Sequence, residues 1–435
     1  MKKYLTAFIF ILIAFTSCGK TVGTDSDISE VSEVSQTETS STSTEKTTEI
    51  HTTTKTSVTS VKAVSNDVPE SVVLVTADTV EVYEDVTIAE FVTDTNVEII
   101  YGYAPVDTSE LGEKSVDIVF EYEGGTYRKT VEYTVADTTE PLVLNSGWNP
   151  YSIIGQPFDV NSVVGFVDNY DRNPTVTYMG DVDTSTVGAY PISVTVTDSS
   201  GNYTSWDMTV FVVNEKPNPS DDNTRVNFSD FMNTYNYENI SYGIDVSAWQ
   251  TNVNYDAVKA EGVEFVLMRI GYCYGNINMD DYYYSNIQNA TDAGLDVGVY
   301  FYTNANTEEK AREQVQWIVE QLDGRKLDFP VAFDWEEWEN FQQYGININD
   351  INNIFYAFCD ELEKAGYSGM LYSSKNFLES VWENRINRPV WLAHYVDETN
   401  YTGDYAIWQA SAYGRINGID GDVDMNIRYN NMPLK

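Results

Sequence analysis

From residue 240 onward the chain repeats one pattern: a short apolar run, a turn, an amphipathic stretch, then another apolar run. The apolar runs fall at 242–247, 263–270, 296–303, 329–335, 369–373, 389–393, 405–409 and 425–428. Helical stretches fall between several of them, at 281–293, 307–322 and 348–365. In the last, Ile351, Ile354, Phe355, Phe358 and Leu362 recur at the spacing of one helix face. Strands that alternate with helices are joined by crossovers, and crossovers put the strands parallel in a sheet, open or closed. Eight strand candidates favour closure into a β/α barrel, in a span somewhat short for that fold.

The residues before 240 read differently. Over 67–214, runs such as Ser115-Val-Asp-Ile-Val-Phe-Glu-Tyr and Ile192-Ser-Val-Thr-Val-Thr alternate with period two, the pattern of half-buried antiparallel strands. The segment contains an internal repeat: VDTSELG at 106–112 returns as VDTSTVG at 182–188, an offset of 76 that also maps Gly125 onto Gly201 and Tyr127 onto Tyr203. Two all-β sandwich domains are expected, 67–137 and 138–214. The second, with VADTTEP leading in and VTVTDSSGNY near its end, resembles the bacterial Ig-like repeats of cell-surface proteins, and the first is a more diverged copy. Residues 215–239 are polar and read as a linker, with the barrel at 240–435. Residues 19–66 hold Ser, Thr, Glu and Val with few aromatics, so they cannot bury enough surface to offset their ordering entropy and are expected to be a disordered stalk. Residues 1–18 begin with Met-Lys-Lys, continue with the apolar stretch Tyr4–Phe15 and end at Phe15-Thr-Ser-Cys18, which resembles a signal peptide closing on a bacterial lipobox. The expectation is export, with Cys18 lipidated and the chain held at the membrane by its lipid alone, or else plain secretion.

Charge and rare residues exclude whole classes of chemistry. The formal net charge is −42, a field that repels nucleic acid, so no nucleic-acid partner is expected. There are three cysteines, Cys18, Cys273 and Cys359, and two histidines, His51 and His394. No disulfide framework, cysteine metal cluster or histidine-rich zinc site can be built from them, and no metal or cofactor is expected. Cys273 and Cys359 are most simply two thiols, with one disulfide as the alternative. A monomer is expected.

The carboxylates concentrate at the predicted strand ends, which in a parallel barrel supply the active site. Asp245 ends YGIDVS, and Asp334 and Glu336 end FPVAFDWE. Asp424 sits in the stretch before the last strand. Tyr302, Tyr372, Trp391, Tyr395 and Trp408 lie at the same ends. On an extended strand Asp334 and Glu336 share a face, with Cα atoms about 6.5–7 Å apart, and Glu337 points away into solvent. Crowded carboxylates repel, and burial beside Trp335 or Trp338 adds desolvation; both raise the pKa of one member. A protonated Glu beside ionised Asp groups can donate a proton to a leaving oxygen and stabilise an oxocarbenium-like transition state, the requirement of glycosidic cleavage. Exposed aromatic rings suit the apolar faces of sugars, although core packing accounts for many of the 32 Tyr and 9 Trp. Arg269 is expected to pair with a cleft acid and set its charge balance. A rival for Asp424 is a calcium loop from Asp420, but Met425 and Asn431 stand where an EF-hand has Gly and Glu.

YGIDVSAWQ (242–250), RIGY (269–272), DAGLDVGVYFYTNA (292–305), FDWE (333–336), WLAHY (391–395), IWQ (407–409) and VDMN (423–426) together resemble glycoside hydrolase family 25, the bacterial and phage N-acetylmuramidases. The resemblance covers about 240–432. It implies a modified β/α barrel that cleaves the β-1,4 bond between N-acetylmuramic acid and N-acetylglucosamine in peptidoglycan, with retention. It implies Glu336 as proton donor, Asp334 as its partner that either orients the substrate N-acetyl group or attacks as nucleophile, and Asp245 and Asp424 as the rest of an acidic ring. Tyr302, Tyr372, Trp391, Tyr395, Trp408 and Arg269 are the expected substrate contacts. His394 departs from the family pattern and is expected not to touch the four acids. The alternatives are a surface protein that binds cell-wall glycan without cutting it, and a hydrolase of another glycan such as chitin.

Overall fold

All eight strands of the expected barrel form, but the last one runs the opposite way. A computed structural model describes residues 63–434 apart from 73–78, 93–95, 146, 216, 218–222, 339–340 and 384–385. The barrel strands are Ile240–Val246, Phe265–Tyr274, Asp296–Tyr302, Val331–Asp334, Gly369–Ser374, Val390–Ala393, Ile407–Arg415 and Val423–Tyr429. Each of the first six pairs in parallel with the next. The eighth is antiparallel to both the seventh and the first and closes the barrel. The cause is loop length: residues 416–422 are too few for a crossover, so the chain can only return as a hairpin.

Side chains alternate between two cores, as a closed sheet requires. Phe265, Leu267, Phe329, Ala332, Met370, Trp391 and Ile407 fill the barrel interior. Val266, Met268, Val331, Phe333 and Leu371 face outward into a larger core with the helices. Two glycines make room for the inner rings: a Cβ at Gly243 would stand 2.3 Å from the Phe265 ring, and one at Gly298 would stand 2.7 Å from Phe329 Cβ. The helices Tyr283–Asp292, Glu308–Leu322 and Ile348–Lys364 lie where their apolar spacing placed them. Thr307 and Asn347 cap the last two, each accepting from a backbone N–H three residues on.

The expected linker 215–239 is in part barrel. Val226–Asn227 pairs with Gly414–Arg415, and Phe228–Thr234 is a helix. Phe228, Phe231 and Tyr235 are buried, with Tyr235 edge-on to Trp408 at 5.2 Å between ring centroids. Their i, i+3, i+7 spacing is a helical stripe hidden among polar neighbours.

Each β-rich region has its own core and one main sheet, where two-layer sandwiches were expected. The first sheet holds Val64–Ser65, Thr79–Glu81, Glu98–Ile100, Gly112–Tyr122 and Gly125–Ala136. Val64–Ser65 therefore belongs to a sheet, not to the stalk expected to end at 66. The second region has the four-stranded sheet of Tyr151–Ile153, Tyr203–Val213, Gly188–Thr197 and Thr175–Met179, and a two-stranded ribbon, Leu142–Val143 with Phe166–Val167. The sequence repeat is also a structural one: Asp107 Oδ1 accepts from Ser109 N and Oγ, and Asp183 Oδ1 from Ser185 N and Oγ. The second region docks on the barrel. Arg172 makes a bidentate pair with Asp350 at 2.6 and 2.8 Å, Ile348 N donates to Asp168 O, and Gln342 Nε2 and Asn347 Nδ2 donate to the carbonyls of Phe166 and Tyr170.

The signal segment 1–18 with Cys18, and the stalk up to 62, lie outside the described residues. No helix among the described residues is long and apolar enough to cross a membrane. Cys273 and Cys359 are buried and free.

Candidate active site

The reversed eighth strand decides where its carboxylate goes. Asp245 is next to last in the first strand, and Asp334 is last in the fourth. Because the eighth strand is antiparallel, its N-terminal end lies level with those C-terminal ends, and Asp424 stands opposite Asp245 in register. Glu336 follows Asp334 by two residues, beyond the strand end. Between them Trp335 is fully buried, donates from Nε1 to Ala305 O at 3.0 Å, and packs on Trp338 and Phe341. That anchor fixes the segment carrying both acids.

Asp245 is 5% exposed. Its Oδ2 accepts from Gln409 Nε2 at 2.9 Å and Asn426 Nδ2 at 2.8 Å. Both amides are oriented in turn: Tyr372 and Tyr395 hydroxyls donate to Gln409 Oε1, and Trp391 Nε1 donates to Asn426 Oδ1. Burial pushes the Asp245 carboxyl up to about 6, against the lowering effect of the two amide donors. Asp334 is also 5% exposed, and its Oδ1 is buried without a hydrogen-bond partner. Burial, then the charge of Glu336, raise it well above the usual carboxylate range, with Arg269 partly opposing. Asp424 is raised likewise, by burial and then by Asp245 and Glu336. Glu336 is exposed and Asp424 half-buried, whereas Asp245 and Asp334 are buried. The cleft walls still desolvate the Glu336 carboxyl, and with the charges of Glu337 and Asp245 they push it up to about 7. Asp334, Asp424 and Glu336 are each shifted by at least one other acid of the set, so their titrations are linked. The set can hold a proton near neutrality and release it into an adjacent bond.

The remaining expected contacts divide. Tyr302, half-buried, donates to Glu337 Oε1 and stands 5.4 Å from the exposed Tyr274 ring. Tyr372 is half-buried and Tyr395 is 51% exposed. These can meet a substrate. Trp391 and Trp408 cannot: each is 1% exposed. Trp391 lies in the barrel interior under the acids, and Trp408 points outward to Tyr235 and donates to His394 O. Strand parity puts Trp408 and Gln409 on opposite faces, and Gln409 takes the inner one. Arg269 pairs with none of the four acids. Its Nε and Nη2 both lie 2.8 Å from Asp280 Oδ2, a buried carboxylate on a loop with no motif to mark it. Glu337, expected in solvent, is half-buried and also accepts from Tyr344. The His394 side chain faces Thr399, Lys375 and Glu379 rather than the four acids. Asp422, central to a calcium loop from Asp420, is instead paired with Arg225 and Arg415.

Residues 244–419 match the model for glycosyl hydrolases family 25. This segment, less than half of the chain, is similar to the family 25 glycosyl hydrolases. The autolytic lysozyme of Clostridium acetobutylicum is 30% identical over 188 residues, covering 42% of this chain and 54% of that protein. Lysozyme M1 of Streptomyces globisporus is 27% identical over 203 residues, 42% of this chain and 66% of that one. The chain thus spans about half the length of the first relative and two thirds of the second. Among solved structures, the modular autolysin LytC from Streptococcus pneumoniae, in complex with a synthetic peptidoglycan ligand, aligns at 21% identity over 55% of this chain and 56% of that one, with a TM-score of 0.40. All four acids lie in or beside the family 25 segment: Asp245, Asp334 and Glu336 within it, and Asp424 just past its end.

Proposed function

We propose that the family 25 domain hydrolyses the β-1,4 bond between N-acetylmuramic acid and N-acetylglucosamine in peptidoglycan. Glu336 donates its proton to the glycosidic oxygen as the bond from C1 breaks, and the N-acetylglucosamine unit leaves with its 4-hydroxyl restored. Positive charge developing at C1 and the ring oxygen is met by Asp334, which orients the 2-acetamido group or attacks C1. Water then enters at C1 and returns its proton to Glu336, so configuration is retained. Asp245, whose charge is favoured by Gln409 and Asn426, supplies negative field to the groove, and Asp424 stands opposite it. Tyr302, Tyr372 and Tyr395 offer ring faces and hydroxyls to the sugars.

The observation that carries this reading is the gathering of Asp245, Asp334, Glu336 and Asp424 at one end of the barrel, with the exposed Glu336 carboxyl pushed up to about 7 beside the buried Asp245 and Asp334. A group that is half-protonated near neutrality is matched to general acid work. Among the described residues the β-rich regions show no open cleft lined by acids and aromatics, and we read them as spacers that hold the barrel away from a lipid attached at Cys18. The test is digestion of purified peptidoglycan by the full chain. New reducing ends are expected from the native protein and not from Glu336→Gln. Retention of glycan on the protein with no new ends would make it a binding protein instead, and preferential digestion of chitin would change the substrate.

A further inference from the structure

Away from the barrel cleft, three more carboxylates are buried together. Asp137 follows the last strand of the first β-rich region, Asp168 follows Phe166–Val167 in the second, and Asp198 follows Gly188–Thr197. They are 6%, 1% and 7% exposed. One oxygen from each lies within 4.8 Å of the other two, the only such group of acidic, cysteine or histidine ligands among the described residues. Among the described residues no Lys, Arg or His pairs with any of them; the nearby Arg172 is taken by Asp350.

The donors around Asp137 and Asp168 are arranged one-sidedly. Ser200 Oγ donates to Asp137 Oδ2, and Tyr170 N and Asp171 N donate to Asp168 Oδ2. The other oxygens, Asp137 Oδ1 and Asp168 Oδ1, are buried with no donor, as is the amide oxygen of the adjacent Asn169. Asp198 is held by Gly201 N, Asn202 N and Asn202 Nδ2. Hydrogen bonds of this kind orient carboxylates toward a ligand they do not themselves supply. Buried anions without a partner are costly, and burial, with mutual repulsion added, raises the carboxyls of Asp137 and Asp168 above their usual range.

We propose that Asp137, Asp168 and Asp198 bind a calcium ion at the junction of the two β-rich regions. The donors are oxygens only, as a hard cation requires, and their separation is bridged by ligand distances of about 2.3–2.6 Å. Magnesium demands a strict octahedron at about 2.0–2.1 Å, where calcium accepts irregular oxygen geometry. The bound ion ties the connecting residue Asp137 to the second region. It also stiffens the 166–172 loop, which docks on the barrel through Asp168 O, Tyr170 O and Arg172. The cysteine and histidine count gave no hint of it, because the site uses neither.

The test uses the full chain dialysed against chelator. Titration with calcium chloride should show one site by calorimetry. At ten to a hundred times Kd, calcium should raise the melting midpoint by about 3–10 °C. Asp168→Asn and, separately, Asp137→Asn should lose both responses, and Asp424→Asn in the barrel should keep them. No heat and no shift in the native chain, or undiminished responses in both junction variants, would overturn the proposal. An equal shift with magnesium alone would overturn the choice of calcium.

Discussion

At the residue scale the barrel site is a contest between burial and hydrogen bonding. Asp245 shows both: burial favours its neutral form, and Gln409 and Asn426 favour its charge. With Glu336 raised to about 7 and Asp245 to about 6, the pH dependence follows. Activity needs Glu336 protonated, so it falls as pH rises past about 7. It needs Asp245 ionised, so it falls as pH drops below about 6. A bell-shaped kcat/KM profile with its maximum between these limits is expected from rate measurements on soluble glycan fragments. Glu336→Gln should lower kcat by about 10²–10⁴-fold with the fold intact by circular dichroism. Trp391 is a positioning residue. Trp391→Phe removes the Nε1–H that orients Asn426, and should lower kcat about 10-fold with little change in KM while shifting the acid limb upward. A change in KM alone would return Trp391 to the role of sugar platform. The gathering of the four acids at one end of the barrel was legible in the sequence, because strand ends filter carboxylates. The burial of Trp391 and Trp408 was not, since a tryptophan near a strand end reads the same whether it points out or in. Asp280 was hidden because nothing local marks the partner of Arg269.

At the scale of elements, periodicity recovered every barrel strand and all three long helices, because each has an apolar face long enough to show its period. Two features escaped it. The direction of the last strand depends on a loop length counted only once both strand ends are known. The helix Phe228–Thr234 is two turns long, and its stripe of Phe228, Phe231 and Tyr235 is too short to stand out in a polar stretch. That helix covers the outer face of the barrel beside Tyr242 and Trp408. Phe231→Ala should destabilise the domain by about 3–5 kcal/mol in urea unfolding. A fragment beginning at 240, without the helix, should melt well below one beginning at 223. Equal midpoints for the two fragments would return 223–239 to the status of a linker.

At the scale of the whole molecule, buried acids shape the dependence of stability on pH. Asp168 and Asp245 have folded values raised to about 6 from a reference of 3.8. The folded chain therefore binds more protons than the unfolded one between about pH 4 and 6. Their stabilising effect is complete below about 4 and is lost as pH rises through 6, by on the order of 2–3 kcal/mol each. In chelator, the melting midpoint should be higher at pH 5 than at pH 7; a midpoint that climbs over that range would contradict the burial of these groups. The central claim is narrower: Glu336 gives a proton to a glycosidic oxygen held among Asp245, Asp334 and Asp424. Mass spectrometry of the saccharide ends released from peptidoglycan by the full chain tests it most directly. N-acetylmuramic acid at the new reducing ends, absent when Glu336→Gln replaces the native chain, is the result this account predicts; the same ends released at the native rate by Glu336→Gln, or N-acetylglucosamine at the reducing ends, would contradict it.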